Sequence, residues 1–451
     1  MLQTLRNAFK VPEIRNKLLF VGLILILYRI GAVMPVPFVN SAMMNVYLEG
    51  LGAGNFFTYQ NLLSGSAFGQ ATLFALSVSP YITASIVLQL LDVAFTSWFG
   101  GKDADQETKR KKMTVWTRVA TVILAIVTSI GYYFILKNNG ILLEEGTTLL
   151  GAIVIITCYC AGASLIMWLA EKIEEHGIGN GISMILLANI LSATGGIVLS
   201  FKSMIESGFA AGAGWGILNI ALALISVLVT VAIIFFMVFV TGSERRIPIK
   251  YAKRVVGRKM YGGQASHLPL KVNMSGVMPV IFASSIISIP ATIIVFMYGA
   301  SVTQSAHPVA YFINQMFTPS GTWWSLIYMA LLFLLILGFS YFYVTISFDP
   351  TDVANNLQKQ GGQIPGIRQG TPTAEYIKRI LSKITLMGAF FLSFIAIFPV
   401  LVEFIITLCN GTFASIAFGG TSLLIVIGVI QETAREIEAQ LTMRNYKGFL
   451  S

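Results

Sequence analysis

Long, uninterrupted apolar runs constrain the fold of this chain more than any other feature of its sequence. A helix needs about 20 apolar residues to cross the roughly 30 Å hydrocarbon core of a bilayer. Ten runs fit this pattern, the last of them short, and they cover residues 18–34, 71–91, 115–136, 149–170, 181–200, 216–240, 277–298, 324–346, 377–402 and 418–430. These runs do not alternate between polar and apolar residues as barrel strands do. With 55% hydrophobic and only 11% charged residues, the sequence predicts an all-α polytopic membrane protein.

Positive charge is concentrated in alternate loops between the predicted spans. If the N-terminus is cytoplasmic, 27 of the 30 Lys and Arg residues lie on the cytoplasmic side. Only Lys137 and Lys202 fall in outer loops, and Arg29 lies within the first span. Membrane proteins retain Lys and Arg on the cytoplasmic side, so both termini are predicted to be cytoplasmic.

The outer loop after Ser200 divides the predicted spans into two groups of five. Groups with an odd number of spans enter the membrane in opposite senses, so structurally related halves would form an inverted repeat. We therefore predict an N-terminal half over residues 1–200 and a C-terminal half over residues 201–435, followed by a cytoplasmic tail over residues 436–451. The C-terminal half contains two long cytoplasmic loops, 242–272 and 348–376.

The first of these loops carries a strongly basic strip with aromatic residues interleaved. Its basic residues include Arg245, Arg246, Lys250 and Arg254. Such a strip could bind RNA, anionic lipid or an acidic protein surface. Topology alone explains the same charges, because positive residues are retained in cytoplasmic loops whatever their function. Charge by itself therefore leaves both explanations open.

The segment between the first two spans is short of charge and rich in small residues. No Lys or Arg occurs between Ile30 and Gly101, and residues 55–69 are moderately apolar with several Gly and Ser. This segment is too short and too polar to cross the membrane alone. A re-entrant segment that dips partway into the membrane fits these residues, and so does an amphipathic hairpin on the outer surface.

Residues that could carry catalysis or bind a metal are scarce. His176, His267 and His307 lie in three separate loops, and no H-E-x-x-H motif occurs. The glycines of residues 177–181 follow a membrane span and not a β-strand, which argues against a nucleotide-binding loop. Only Arg29 lies deep enough to serve ion coupling in the way transporters use buried charges. The sequence therefore predicts no enzyme, no cofactor and no metal site.

Six polar motifs occur along the chain, and together they identify a family resemblance. They are SPYITASI at 79–86, HGIGNGIS at 176–183, SHLPLKVN at 266–273, GGQIPGIR at 361–368, GGTSLLI at 419–425 and RNYKG at 444–448. In content and order they resemble the motifs of the SecY family of protein-conducting channels, over essentially the whole chain. The sequence departs from the family at Gln369, where proline usually follows the loop arginine.

The resemblance implies two inverted five-helix halves around an hourglass pore that is constricted by a ring of aliphatic side chains. Matching the motifs places this ring at Val78, Ile82, Leu186, Ile190, Ile281 and Ile425. Counted along their spans, these residues all lie about 8 to 16 Å into the hydrocarbon core. Packed aliphatic side chains exclude water and ions, and they make no specific hydrogen bond to a passing chain.

The resemblance also implies a plug, which is a short helix that blocks the outer funnel at rest. The plug corresponds to residues 57–69 and includes Phe57, Leu62, Leu63 and Phe68. This correspondence favours the re-entrant interpretation of the segment.

A lateral gate is implied as well, through which signal sequences and membrane segments reach the lipid. Thr83 and Ile289 would lie near its seam. Pro279 and Pro290 could weaken the predicted helix that begins at Val277 and carries Ile289, so that this helix bends.

In the family the long cytoplasmic loops bind the SecA motor ATPase or the ribosome, for which Arg245, Arg246, Lys250, Arg254 and Arg368 are the predicted contacts. SecE and SecG are the expected small membrane partners. The sequence thus predicts a passive channel of the bacterial cell membrane that passes unfolded secretory polypeptides and releases membrane segments sideways. The alternative is a secondary transporter of small solutes, which would need a polar cavity at the membrane midplane instead of an apolar ring.

Overall fold

A computed structural model describes most of the chain and shows a predominantly helical protein. The described residues are 6, 8–50, 56–94, 106–192, 206, 213–251, 254–256, 259–261, 265–298, 307–318, 323–408 and 420–447.

The main helices described in the predicted N-terminal half follow one another with short connections. They are α1 Pro12–Gly31, α2 Ser41–Gly50, α3 Phe56–Leu63, α4 Ser79–Ala94, α5 Gln106–Asn138, α6 Leu149–His176 and α7 Gly181–Ser192. A single 3-10 turn, Glu144–Thr147, precedes α6.

The predicted C-terminal half contains helices and a small amount of β-structure. Its helices are α8 Ala213–Gly242, α9 Met278–Tyr298, α10 Pro308–Phe317, α11 Trp324–Ser347, α12 Pro350–Lys359, α13 Thr371–Leu408 and α14 Gly420–Lys447. Its strands are β1 Glu244–Tyr251, β2 Arg254–Val256, β3 Lys259–Tyr261, β4 Ala265–Lys271 and β5 Gly362–Gln363.

Several described helices have the length and composition of membrane spans. Four stretches are long and apolar enough to cross a membrane, namely Lys111–Asn138, Leu149–His176, Trp324–Lys359 and Thr371–Phe398. Shorter apolar helical stretches coincide with three more of the predicted spans, at Gly181–Ser192, Thr230–Gly242 and Met278–Ile294. The polytopic helical fold is thus confirmed, while the number of ten spans stays a prediction.

Large apolar side chains cover the outer faces of these helices. On α1, Val21 and Ile24 are buried, whereas Leu23 and Ile26 are 55% and 65% exposed. A protein surrounded by water rarely exposes such continuous apolar surface. The pattern is the one expected of helices whose outer face contacts lipid.

The second predicted span is wrong in its first part. Residues 64–78 form consecutive turns, interrupted by one isolated β-bridge, and α4 begins only at Ser79. Ala71 and Ser77 have φ angles of 47° and 52°, which a right-handed helix does not allow. The apolar run 71–91 hid this boundary because hydrophobicity alone does not distinguish a buried turn from a helix.

The last helix is longer than the sequence predicts. The apolar run ends at Ile430, but α14 continues to Lys447 and so includes much of the predicted tail. Beyond the apolar run, Ile437 packs with Ala8, Ile14 and Ile178 in a small cluster of its own. These contacts stabilise the helical extension.

The two long loops that are predicted to be cytoplasmic meet in one three-stranded antiparallel sheet, which the sequence analysis did not predict. Strand β1 lies in the centre, with β4 of the same loop on one side and β5 of the second loop on the other. The register places Arg245 opposite Leu270 and Lys250 opposite Gln363. The two loops therefore form a single structural unit.

A small core holds this sheet together. Ile247 and Ile249 of β1 are buried, and their neighbours Arg246 and Lys250 are exposed. The buried side chains pack with Leu270, Leu357, Ile364 and Ile377, so the sheet rests on α12 and on the start of α13. Apolar residues at every second position are a sequence signal for a strand, but here they lie among basic residues, which made the signal hard to recognise.

Candidate functional site

All six residues predicted to form the ring are buried in one hydrophobic cluster. Their side chains are between 1% and 7% exposed, and they are Val78, Ile82, Leu186, Ile190, Ile281 and Ile425. They come from the start of α4 and from α7, α9 and α14. Four separate chain segments therefore contribute to this cluster, which also includes buried residues of α1, α6, α11 and α13; we call it the apolar centre.

Local backbone geometry explains why the paired ring residues share a face. Val78 precedes α4, but its carbonyl oxygen accepts the N–H of Ile82 at 3.0 Å, so the two residues are one helical turn apart. Leu186 and Ile190 are likewise one turn apart within α7. Residues at this spacing lie one above the other on a helix.

The predicted plug is buried among the helices and does not lie on an outer surface. Phe57 and Phe68 are 2% and 6% exposed, and their rings stack at 5.6 Å with an angle of 20°. Phe68 also contacts the ring of Tyr132 at 4.8 Å, and α3 packs against α9. Leu63 is half-buried, and the side chain of Leu62 lies outside the described residues. This placement favours the re-entrant interpretation over the surface hairpin.

Side chains from four helices donate hydrogen bonds to carbonyl oxygens at the end of α3 and in the turns that follow it. The donors are Arg29 to Gly65 at 3.4 Å, Tyr132 to Phe68 at 2.8 Å, Tyr159 to Ala71 at 3.3 Å and Asn189 to Leu63 at 2.9 Å. Carbonyl groups in buried turns lack helical partners and need such donors. The turns are therefore fixed to α1, α5, α6 and α7.

Three of these donors were missed by sequence reasoning, which singled out only Arg29 for its depth. Tyr132, Tyr159 and Asn189 are polar groups within apolar helices, and that isolation was the available signal. Their acceptors lie 64, 88 and 126 residues away along the chain. No local pattern could have paired them.

The predicted gate residues lie on two helices that contact each other. Thr83 is on α4 and Ile289 is on α9, and both side chains are half-buried. Pro290 lies inside α9, whereas Pro279 occupies its first turn, where a proline removes no helical hydrogen bond. Of the two prolines, only Pro290 can weaken the helix in the predicted way.

The predicted docking residues are exposed on the shared sheet and on the turn beside it. Arg245, Arg246 and Lys250 project from β1, and Arg368 lies between β5 and α13. The side chain of Arg254, in β2, lies outside the described residues. The pairing of β1 with β5 joins both loops in one sheet, which charge counting could not establish.

The turn that carries Arg368 is held by side chains as well as by backbone conformation. Gln369 donates from its amide nitrogen to the carbonyl oxygen of Gly362 at 3.1 Å. Thr373 donates from its hydroxyl to the carbonyl oxygen of Arg368 at 2.7 Å. Gln369, the residue that follows Arg368 along the chain, and Thr373 thus both restrain the turn.

A polar cavity of about 390 Å³ lies beside β4, next to the last part of α14. Its charged lining includes Lys271, Glu432 and Arg435. Burial lowers the pKa of Lys271, aided by repulsion from Arg435, and burial raises the pKa of Glu432. Among the described residues, no group of His, Cys, Asp and Glu is arranged to hold a metal ion. The cavity meets α14 from Gly428 onwards, one turn past Ile425, and so lies to one side of the apolar centre.

Comparisons with known proteins agree with this arrangement. The SecY family model matches residues 72–434. Relatives named protein translocase subunit SecY are 40% identical in Halalkalibacterium halodurans and 38% identical in Mycobacterium tuberculosis, with 100% of both chains covered in each comparison. A secondary transporter finds no support among these matches.

Solved structures share the fold at lower sequence identity. One, described as the structure of a protein conducting channel, has a TM-score of 0.62 at 19% identity, over 94% of this chain and 91% of that chain. Another, described as Sec61 in the canine ribosome-channel complex from the endoplasmic reticulum, has a TM-score of 0.58 at 18% identity over the same shares. The full-length relatives, the family model and the shared fold lead to one conclusion: the chain belongs to the SecY family of protein translocase subunits.

Proposed function

We propose that the six ring residues and the plug at residues 57–69 form the resting seal of this translocase channel. Membership of the SecY family makes the chain a protein-conducting channel subunit and not an enzyme. The observation that carries the seal is the burial of six aliphatic side chains from four chain segments in one cluster. Such a seal can yield to an unfolded polypeptide of any sequence, because it offers no specific hydrogen bonds that a passing chain must match.

We further propose that α4 and α9 separate to form the lateral gate. Both helices are apolar and already in contact, so their separation would open a path from the pore centre to lipid. Signal sequences and membrane segments would leave by this path, past Thr83 and Ile289.

The shared sheet is the proposed docking surface for a SecA motor or a ribosome. Phosphate oxygens of RNA and acidic protein surfaces both favour clustered Arg and Lys. Arg245, Arg246, Lys250, Arg254 and Arg368 are the proposed contacts. SecE and SecG are the proposed membrane partners, and the positive-inside charge supports a bacterial cell membrane location with both termini cytoplasmic.

Depletion of the chain in its own bacterium tests the proposed function. We expect proteins with signal sequences to accumulate in the cytoplasm as precursors, and re-expression of the wild-type chain to restore their export. Uptake of small solutes, measured early in depletion, serves as the control. Normal export after depletion would contradict the channel, and an early loss of uptake of one solute would favour a transporter.

Reversal of one exposed charge tests the docking surface. Arg368→Glu should slow SecA-driven import of a precursor into inverted membrane vesicles by about tenfold, because a charge-assisted contact is lost and a repulsion replaces it. Lys378→Glu is the matched control, since it reverses an exposed charge on α13 outside the proposed contacts. Normal import by Arg368→Glu at wild-type protein level would remove Arg368 from the docking surface.

A further inference from the structure

Asn189 is a fully buried amide that contacts the end of the plug helix. Its Nδ2 donates to the carbonyl oxygen of Leu63 at 2.9 Å and to the hydroxyl of Ser77 at 3.3 Å. Its Oδ1 accepts no hydrogen bond from any described residue. The Tyr28 hydroxyl lies beside Asn189 and Ser77 without forming a hydrogen bond of acceptable geometry. An amide left half-satisfied in a buried site points to a role beyond packing.

Arg29 approaches the same turn from α1. Its two terminal nitrogens each lie 3.4 Å from the carbonyl oxygen of Gly65, which is a long contact for a hydrogen bond. Within the described part of the chain, no carboxylate forms an ion pair with Arg29. A cation within a membrane span is costly and usually functional, so its approach to a carbonyl in the plug is informative.

The backbone of Gly65 fits closely between the backbone of α7 at Asn189 and the guanidinium group of Arg29. Its φ angle is +64°, and a Cβ atom at this position would lie 2.9 Å from the Cα of Asn189 and 3.1 Å from the Nη1 of Arg29. No residue with a side chain fits here without displacing the turn. The end of the plug helix is therefore seated directly on both groups.

We propose that Asn189 and Arg29 form a latch that positions the plug in its resting seat and must release before the plug can move. The inference rests on the proposed plug. At the other end of the turns, Tyr132 bonds to Phe68 at 2.8 Å and contacts its ring, which makes an anchor, whereas at the latch both contacts of Arg29 are long and the Oδ1 of Asn189 accepts no hydrogen bond from a described residue. The latch is thus the end that releases more easily.

The latch and the ring share a helix. Asn189 immediately precedes Ile190 on α7 and is three residues after Leu186. A movement of α7 that displaces Leu186 and Ile190 therefore also moves Asn189, whose amide bonds to the carbonyl of Leu63. Opening of the ring and release of the plug are coupled in this way.

A cysteine reporter at Ala67 measures the seating of the plug directly. Ala67 is 1% exposed, so Ala67→Cys should react slowly with a membrane-impermeant thiol reagent added from outside. The background carries serine at Cys158, Cys160 and Cys409. Asn189→Leu removes the donor at similar volume, and Gly65→Ala leaves both latch groups intact but displaces the turn. Both should raise the labelling rate about tenfold and increase the resting ion leak, as expected for one lost buried hydrogen bond.

A control and a deletion variant separate the possible outcomes. Ser183→Ala changes another buried polar residue on α7, whose hydroxyl has no hydrogen-bond partner among the described residues, and should alter neither readout.

Deletion of residues 57–69 should raise the leak above that of every latch variant. Wild-type labelling and leak in Asn189→Leu and in Gly65→Ala, together with a leaky deletion variant, would overturn the latch and leave the plug standing. An unchanged leak in the deletion variant would instead overturn the plug as a seal. If the Asn189→Leu protein fails to accumulate, the labelling rate of Ala67→Cys in Gly65→Ala tests the latch by itself, and a wild-type rate there would contradict it.

Discussion

Aliphatic side chains at the apolar centre exclude water and ions. Ile425 is 2% exposed and belongs to the same cluster as Ile82 and Ile281. A polar group placed there has no partner unless water enters, because buried polar atoms without hydrogen bonds are strongly unfavourable. The proposed seal should therefore be most sensitive to polarity and should tolerate changes in aliphatic shape.

A single polar substitution tests this sensitivity. Ile425→Asn should draw water into the cluster, raise the resting ion leak by about tenfold and allow export of proteins with defective signal sequences. Conductance across a planar bilayer and export in cells are the two measurements. Ile430→Asn, on the same helix but 46% exposed, should change neither. An unaltered leak and unaltered export in Ile425→Asn would remove Ile425 from the seal.

Residues of the seal differ in how well the sequence predicts them. The ring residues are recognisable from motifs and from spacing by one helical turn, and all of them prove to be buried together. The donors to the plug turns are not recognisable, because each acceptor is a backbone carbonyl in a distant segment. Which backbone carbonyl groups lack a hydrogen-bond partner within a helix or strand becomes known only from the folded structure.

Among the helices, α9 combines contact with the plug and contact with α4 in a single element. Pro290 lies inside α9 and supplies no N–H to the carbonyl one turn earlier. A helix with a missing hydrogen bond bends at lower cost than a regular one. This property suits an element that must part from α4 when the gate opens.

Replacement of this proline should make the gate stiffer. Pro290→Ala restores a helical hydrogen bond and should reduce export of proteins with weakly hydrophobic signal sequences several-fold, while strongly hydrophobic signals are less affected. Pro279→Ala is the matched control, because its position in the first turn already lacks a helical acceptor. Equal export by the two variants would contradict a role for Pro290 in bending.

The turn that carries Arg368 offers a second prediction about an element. Gln369→Ala removes the hydrogen bond to Gly362 and should speed trypsin cleavage after Arg368 about threefold to tenfold, since the turn loses one restraint. Asn355→Ala, an exposed amide on α12, serves as the control. Cleavage at the wild-type rate in Gln369→Ala would show that backbone conformation alone holds the turn.

Elements were predicted well where hydrophobicity decides and poorly where backbone geometry decides. The apolar runs match α9 and α11 to within one residue at each end and fall within the longer helices α5 and α6. They fail at residues 71–78, where buried turns are as apolar as a helix, and in the two long loops, where a pattern of period two was hidden among charges. An apolar segment can therefore form a buried turn or a helix, and its composition alone does not distinguish the two.

Across the whole molecule, the polar contacts of the proposed plug and the proposed docking surface belong to different predicted halves. The four donors to the plug turns all come from the predicted N-terminal half. The shared sheet and the helices that it joins belong to the predicted C-terminal half. Helices α4 and α9, which form the proposed gate, are in contact and belong to different halves. A change at this contact would therefore alter how the two predicted halves pack against each other.

A reversible cross-link tests this arrangement. With Thr83→Cys and Ile289→Cys in the cysteine-free background, oxidation should join α4 to α9, block export and block release of membrane segments. Reduction should restore both, and each single variant should be active under oxidising conditions. Full export by a cross-linked chain would exclude separation of these helices at Thr83 and Ile289.

The shared sheet also has a mechanical consequence. Because β1 and β5 are paired, the two loops are mechanically connected, and the sheet that they share is linked along the chain to the ends of α8, α9, α11 and α13. Of these helices, α9 contacts both α4 and α3. A force applied to the sheet, whether at Arg245 or at Arg368, would therefore act on a helix that also contacts the proposed gate and the proposed plug.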